Sequence, residues 1–351
     1  MTRVYVGTYT KHGTSEGIYV YELDTATAAL EPVQTVGGVG DPAYLALGPA
    51  GRMLYAVNEQ GEDGGVSAFS VDPANGQLTF VNRVASQGAD PAHLSVDPSG
   101  GWLLVANYTG GTIAAIPIKG DGSLDEASDV VHHTGRGPNA DRQQGPHPHM
   151  IVTTPTGGFI LVPDLGADRV VAYHLDHGTG KLVPEPDAGG RLPPGAGPRH
   201  LAFGADGQYA YVLGELDSTM GVFAFDAETG RLSQTQVVRT LPRVTSVQNT
   251  TAALVVAPSG RFVYSSNRGH NSVATFAIDP TTGQLTPRGH APTGGRTPRD
   301  INLDPTGTIL LAANQDTDTI VSFFVDAHTG RLEPTGQTTA VPRPVRVLFA
   351  P

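Results

Sequence analysis

Several short stretches of the sequence carry side chains suited to acid–base chemistry and anion binding. The richest is Gly145-Pro-His-Pro-His-Met150, with His147 and His149 two residues apart. Others are Gly197-Pro-Arg-His-Leu201, Gly214-Glu215, Ser266-Asn-Arg-Gly-His270 and Thr297-Pro-Arg-Asp300. Imidazole exchanges a proton near neutral pH, and guanidinium grips carboxylates and phosphates through a planar fork of N–H donors. The His-Glu-x-x-His zinc motif is absent. Gly61-Glu-Asp-Gly-Gly65 lacks phosphate-loop spacing and precedes no helix, so it reads as a turn.

The elements that would position these residues are β-type. Apolar runs at 150–152, 159–162 and 170–173 and a short strand at 181–183 are separated by turn residues, with no helical period. They describe a four-stranded antiparallel unit. Its opening phrase, Pro-x-x-apolar-x-apolar, recurs from Pro42, Pro91, His147, Pro198, Thr251 and Pro298, roughly 50 residues apart, about one propeller blade each. Second strands at 54–58, 103–107, 160–164, 210–214, 263–267 and 309–314 end in Asn, Asp or Gly. Hairpins such as Asp72-Pro-Ala-Asn-Gly76 and Asp226-Ala-Glu-Thr-Gly230 close the units, with Gly supplying positive φ. A lone first strand fits from Pro344, while the N-terminus offers second, third and fourth strands at 4–8, 17–23 and 30–33. The expected fold is all-β: a seven-bladed β-propeller of four-stranded antiparallel blades, a single domain over residues 1–351. The C-terminal strand joins the N-terminal blade and removes the open edges. The polar segment 129–144 reads as a loop.

Composition narrows the function. With 45 Gly, 28 Pro and 16% charged residues the chain is turn-rich, and 39% hydrophobic content builds a core. A net charge of −11 argues against nucleic acid, whose phosphates demand a basic face, but leaves room for a small anionic substrate held by one basic cluster. The absence of cysteine excludes disulfides, thiolate metal sites and a cysteine nucleophile. The first residues enter a strand without a signal-peptide apolar stretch, and no apolar run reaches membrane-spanning length. A soluble cytoplasmic protein is expected, monomeric or weakly dimeric, with no nucleic-acid or membrane partner.

The repeat allows one position to be compared across blades. The residues heading the first strands are Tyr44, His93, His149, His200, Ala253, Asp300 and Arg346, preceded by Ala43, Ala92, Pro148, Arg199, Ala252, Arg299 and Val345. The residues following the second strands are Glu59, Tyr108, Leu165, Glu215, Arg268 and Gln315, with Thr8 in the split blade. In a propeller both columns crowd one mouth of the central channel. A purely structural ring would repeat one residue type; these columns have diverged into His, Arg, Glu and Asp. Arg199, Arg268 and Glu215 break their columns and read as functional. His93, His149 and His200 could equally tie blades together. Asn58, Asn107, Asp164, Asn267 and Asn314 recur so regularly that they read first as caps, and Asp300 could pair with a neighbouring Arg. His12, His132, His133, His174, His177, His270 and His328 read as solvated.

Val6-Gly-Thr-Tyr-Thr10 followed by Ser15-Glu-Gly-Ile-Tyr19, the motifs above and Val162-Pro-Asp-Leu-Gly-Ala-Asp168 together resemble the bacterial lactonase family of seven-bladed propellers. That family includes 6-phosphogluconolactonases and carboxy-muconate cyclases. The resemblance runs from the first strand to the last. It implies a catalytic cluster of one His, two Arg and one Glu, matching His149, Arg199, Arg268 and Glu215. It also implies hydrolysis of an anionic sugar lactone, 6-phosphogluconolactone in the pentose phosphate pathway, without a cofactor. In such a reaction His149 is the candidate base for water, and Glu215 either orients it or is itself the base. One of Arg268 and Arg199 would stabilise the oxyanion, while the other, with Arg299, would hold a phosphate or carboxylate. His93, His147, His200, Asn107 and Asn314 complete the candidate substrate-binding set. Three alternatives remain open at this point. A metal-dependent lactonase would use Glu59, Glu215, Asn107 and Asp164. A muconate-type cycloisomerase would use the same His, Arg and Glu. A non-catalytic binding propeller would need aromatic anchors, and the chain has one Trp, Trp102.

Overall fold

The computed structural model describes residues 2–11 and 13–350. Among them lie seven antiparallel sheets in chain order, six of four strands and one of five. In the first, Pro344–Phe349 pairs with Thr2–Thr8, and Gly17–Leu23 and Leu30–Gly37 follow. Val4 faces Phe349 and Val6 faces Val347, so the last strand completes the sheet that the first begins. Second strands are buried along almost their whole length, as in Met53–Asn58, Trp102–Asn107 and Ile309–Asn314. Fourth strands such as Leu78–Ala85 and Leu232–Arg239 alternate between exposed and covered residues. The core therefore lies along the inner strands, and the outer ones carry the half-buried period of two. Contacts divide the chain into two compact units: Met1–Gly38, His200–Ala224 and Gln234–Pro351 in one, Val39–Arg199 and Phe225–Ser233 in the other.

A recurring device joins consecutive sheets. The Asp-x-x-x-Gly hairpin between third and fourth strands ends in a glycine at positive φ, at Gly180, Gly230, Gly283 and Gly330. An added Cβ at these four would lie 2.2 to 2.7 Å from a ring of the preceding sheet, of Trp102, Phe159, Tyr209 and Phe262 in turn. Glycine is required there twice over, by conformation and by the ring against it. Two residues beyond each ring position a buried tyrosine can tie the same turn: Tyr211 Oη donates to the Gly283 carbonyl at 3.2 Å and Tyr264 Oη to that of Gly330 at 3.0 Å. Tyr55 Oη donates likewise to Gly122 at 3.0 Å, and burial pushes its phenol up to about 12. The first sheet has Ala28 at the glycine position, still at φ 58°. The matching residue of the preceding sheet is Ile309, in one apolar cluster with Ala28, and a smaller side chain there leaves room for the methyl group.

One boundary differs from expectation. Asp129–His132 is the fourth strand of its sheet, pairing with Thr112–Pro117, and only the rest of 129–144 is irregular. Its polar sequence hid it, because an outer strand needs few apolar residues. The blade strands given by residue range fall where the repeat places them, within a few residues at their ends, and Gly190–Arg191 is a fifth strand the repeat does not place. Gly230→Ala is expected to destabilise the protein by at least about 2 kcal/mol, from left-handed strain plus the clash with Phe159; urea unfolding midpoints measure it.

Candidate active site

The stretches rich in His and Arg sit at the starts of first strands, and the backbone there is unusual. The residue before the proline is left-handed at Asp41, Asp90, Gly197, Thr297 and Arg343. Only one of these is glycine, so four side chains bear strain of about 1–3 kcal/mol each. Just beyond, the ladder slips by one residue between Pro91 and His93 and between Pro298 and Asp300, and again opposite Gly7 and Thr8, where Arg346 and Pro344 are the partners. The extra residues are Ala92, Arg299 and Val345. A bulge re-aims side chains, and a leading proline suits it because the ring has no N–H for the ladder. In these three sheets the residue just after the proline is the bulged one.

At three of these positions a side-chain oxygen from the previous sheet holds the left-handed residue, while Asp90 N donates to the Gly61 carbonyl. Asn271 Oδ1 accepts from Thr297 N at 2.9 Å, and Asp318 Oδ1 accepts from Arg343 N at 2.8 Å. Asp168 does more: Oδ1 accepts from Gly197 N at 2.8 Å and Oδ2 from Gly195 N at 2.7 Å. Gln143 Nε2 also donates to Asp168, at 2.7 Å. The chain leading into Arg199 is pinned by one carboxylate.

In the unit Val39–Arg199 the His147–His149 stretch is fixed by Asp164, a fully buried residue. Asp164 Oδ1 accepts from His147 N at 2.8 Å and Ala167 N at 3.1 Å, capping the 3₁₀ turn Leu165–Ala167. Its Oδ2 lies 2.7 Å from His133 Nδ1. His149 N donates to the Pro163 carbonyl at 2.9 Å. The Tyr108 ring lies between the two imidazoles, stacked on His147 at 4.6 Å and edge-on to His149 at 5.3 Å. Tyr108 also contacts Arg142, whose Nη2 donates to its hydroxyl at 3.1 Å, and the Tyr108 carbonyl lies 2.9 Å from His147 Nδ1. His93 stacks on Tyr44 at 4.0 Å, and its Nδ1 receives Ile151 N–H at 3.4 Å, which puts the ring proton on Nε2. Arg199 is 3% exposed.

In the other unit Glu215 and Arg268 form an ion pair at 3.1 Å, with the glutamate side chain almost fully buried. Arg268 Nη2 also donates to the Thr251 carbonyl at 2.8 Å, while Thr251 N donates to Glu215 O at 3.2 Å. The pair is thereby locked across two strands. Arg299 lies over the Tyr9 ring at 5.0 Å and donates to its hydroxyl at 2.5 Å. Asp300 accepts from Arg346 at 3.2 Å and from Val347 N at 2.8 Å, tying the C-terminal strand to its neighbour. His200 is buried on the strand Pro198–Phe203. A buried carboxylate–guanidinium pair can orient and stabilise an anionic reacting group.

A family model described as Lactonase, 7-bladed beta-propeller matches residues 3–349. The chain belongs to this family. It is 39% identical over 300 residues to a 6-phosphogluconolactonase of Bacillus subtilis, covering 86% of this chain and 84% of that one. It is 30% identical over 314 residues to a 6-phosphogluconolactonase of Formosa agariphila, covering 86% of each. The solved periplasmic gluconolactonase PpgL of Pseudomonas aeruginosa superposes with a TM-score of 0.94 at 34% identity, over 100% of this chain and 99% of that one. The seven-bladed propeller expected from the repeat is this family's architecture, and the seven sheets closed by the last strand are its blades.

Within this lactonase-family fold several residues sit differently from expectation. His133 is buried against Asp164 and stacks on Tyr173, not solvated, because the strand Asp129–His132 carries it there. His174 and His270 are partly buried, 2.7 Å from Glu185 and Ser272 respectively. His177 is largely exposed beside Asp97, and His132 and His328 are exposed; His12 lies outside the described residues. Asn107 and Asn314 are fully buried, each amide donating to a backbone carbonyl, of Ser86 at 2.9 Å and Thr293 at 3.0 Å. Those contacts hold the chain between sheets, as Asn267 does on Thr240. Asp164 has both oxygens engaged, so it is not an open oxygen ligand for a cation. Tyr108, Tyr9 and Arg142 were missing from the candidate residues. Tyr108 follows a second strand, in the same column as Glu215 and Arg268.

Asp168→Ala removes an acceptor of three hydrogen bonds and is expected to cost about 3 kcal/mol or more, with faster hydrogen exchange at Gly195 and Gly197. Asp168→Asn, which keeps one acceptor oxygen, is expected to lose less.

Proposed function

We propose that this chain hydrolyses 6-phosphogluconolactone, through His149, Glu215, Arg268 and Arg199. The observation that carries the reading is the 39% identity to a 6-phosphogluconolactonase over most of both chains. Support comes from the chemistry of the buried groups: an imidazole backed by Tyr108, a locked Glu215–Arg268 pair, and Arg199 behind the Asp168 clamp.

In lactone hydrolysis a water oxygen bonds to the carbonyl carbon, and the ring C–O bond then breaks. His149 or Glu215 takes the water proton and returns a proton to the departing ring oxygen. Guanidinium N–H groups of Arg268 stabilise the carbonyl oxygen as it gains charge. Arg199 and Arg299 hold the phosphate. His93, His147 and His200 line the substrate in this reading, whereas burial on carbonyls favours a structural role for Asn107 and Asn314. The cytoplasmic location expected from the sequence is part of the proposal; the Pseudomonas relative is named as periplasmic, and cell fractionation separates the two.

Hydrolysis of 6-phosphoglucono-δ-lactone and of glucono-δ-lactone, each with and without EDTA, tests the reading. Preference for the phosphorylated lactone and resistance to chelation are expected. Arg199→Ala should raise KM for the phosphorylated lactone about tenfold or more and leave that for gluconolactone nearly unchanged. Equal KM changes for both would remove the phosphate-holding role. Activity abolished by EDTA would favour the metal-dependent alternative.

A further inference from the structure

Between the sixth and seventh sheets, within the unit that holds both, lies an open cavity of about 900 Å³. It is bounded by Ser272–Ile278 and Leu285–Pro292 on one side and by the 328–332 hairpin of the next sheet on the other. Its lining includes three arginines, Arg261, Arg288 and Arg331, and no Asp or Glu, in a chain of net charge −11. The nearest acidic residues along the chain are otherwise engaged. Asp279 and Asp326 accept backbone N–H groups of their own turns, and Glu333, between the lining residues Leu332 and Pro334, alternates to the opposite strand face. Among the described residues none of the three guanidiniums makes an ion pair.

Two of the arginines are placed by the local structure. Arg261 Nη1 and Nη2 donate to the carbonyls of Ala327 at 3.1 Å and His328 at 3.3 Å, and the guanidinium lies 5.5 Å over the Phe262 ring. Carbonyls orient the group without neutralising it. Arg288 is the extra residue of a bulge, since Thr275 pairs with Gly289 and Phe276 with Pro287. The same bulge in two other sheets carries Val33 and Val81. Burial holds the His290 imidazole below its ordinary range, and its Nε2 lies 2.9 Å from the Thr240 carbonyl. The three arginines carry permanent positive charge at neutral pH. Phe262, Ala277 and Ile278 give the cavity an apolar wall, and its volume suits a small metabolite.

We propose that this groove is a second anion site, taking a phosphorylated small molecule with an apolar or aromatic portion. Arg288 and Arg331 grip the phosphoryl groups, and the ring rests on the wall around Phe262 and Ile278. The site is separate from the residues assigned to lactone hydrolysis and does not depend on that assignment.

Calorimetric titration with pyrophosphate and with ATP, at fixed ionic strength, tests it on the wild type and on an Arg288→Ala/Arg331→Ala double variant. The wild type should bind both, ATP more tightly, and the variant should bind each at least about tenfold more weakly. Its circular dichroism and lactone hydrolysis should match the wild type, which confirms that it is folded. Absence of binding to the wild type would overturn the proposal, as would undiminished binding by the variant, which puts the anion elsewhere. Equal wild-type affinity for ATP and pyrophosphate would overturn the apolar half of the assignment.

Discussion

A side-chain oxygen on the N–H of a left-handed residue is the interaction that sets the entry to three first strands. Asp168, Asn271 and Asp318 each reach from a turn of one sheet to the left-handed residue that opens the next. Without such an acceptor a threonine at φ 57° or an arginine at φ 43° would relax to an ordinary extended conformation. The bulge behind the proline would then lose its register, and the side chains it aims would turn with it. Strain is local and the compensation comes from the neighbouring sheet, so the position of an arginine depends on a carboxylate far along the chain.

The same economy explains why the sheets tolerate such different residues at one end. Their packing is secured at the hairpin end, where a turn glycine sits under an aromatic ring and a buried tyrosine ties its carbonyl. The glycine under a ring recurs at four hairpins; at Gly122 the neighbour is Met53, and in the first sheet Ala28 shares an apolar cluster with Ile309. With stability invested in the repeated contacts, the first-strand heads are free to differ: histidine at 93 and 149, aspartate at 300. Asp300 and Arg346 show that some of these differences serve closure, since they tie the C-terminal strand into place.

Much of this was legible in the sequence. The period, the hairpins and the split first sheet follow from turn residues and strand alternation, which depend on local chemistry. The two columns that hold Arg199 and the pair Glu215 and Arg268 could be read because a repeat supplies its own reference. The rest depends on contacts between segments far apart in sequence. Nothing local marks Asp129–His132 as a strand, and only its pairing brings His133 to Asp164. Tyr108 between two imidazoles and Tyr9 beneath Arg299 are ordinary tyrosines until the sheets are assembled. The left-handed residues before proline were equally hidden, since the residue before a proline is normally extended.

The account stands most directly on whether the diverged His149 takes part in the chemistry. The decisive measurement is kcat/KM for 6-phosphoglucono-δ-lactone in His149→Ala, with the urea unfolding midpoint measured alongside. Removing a general base should lower kcat/KM by about 10²–10⁴-fold while the midpoint stays close to that of the wild type. Near-wild-type turnover by a folded His149→Ala variant would contradict the account and leave His149 as one more contact between sheets.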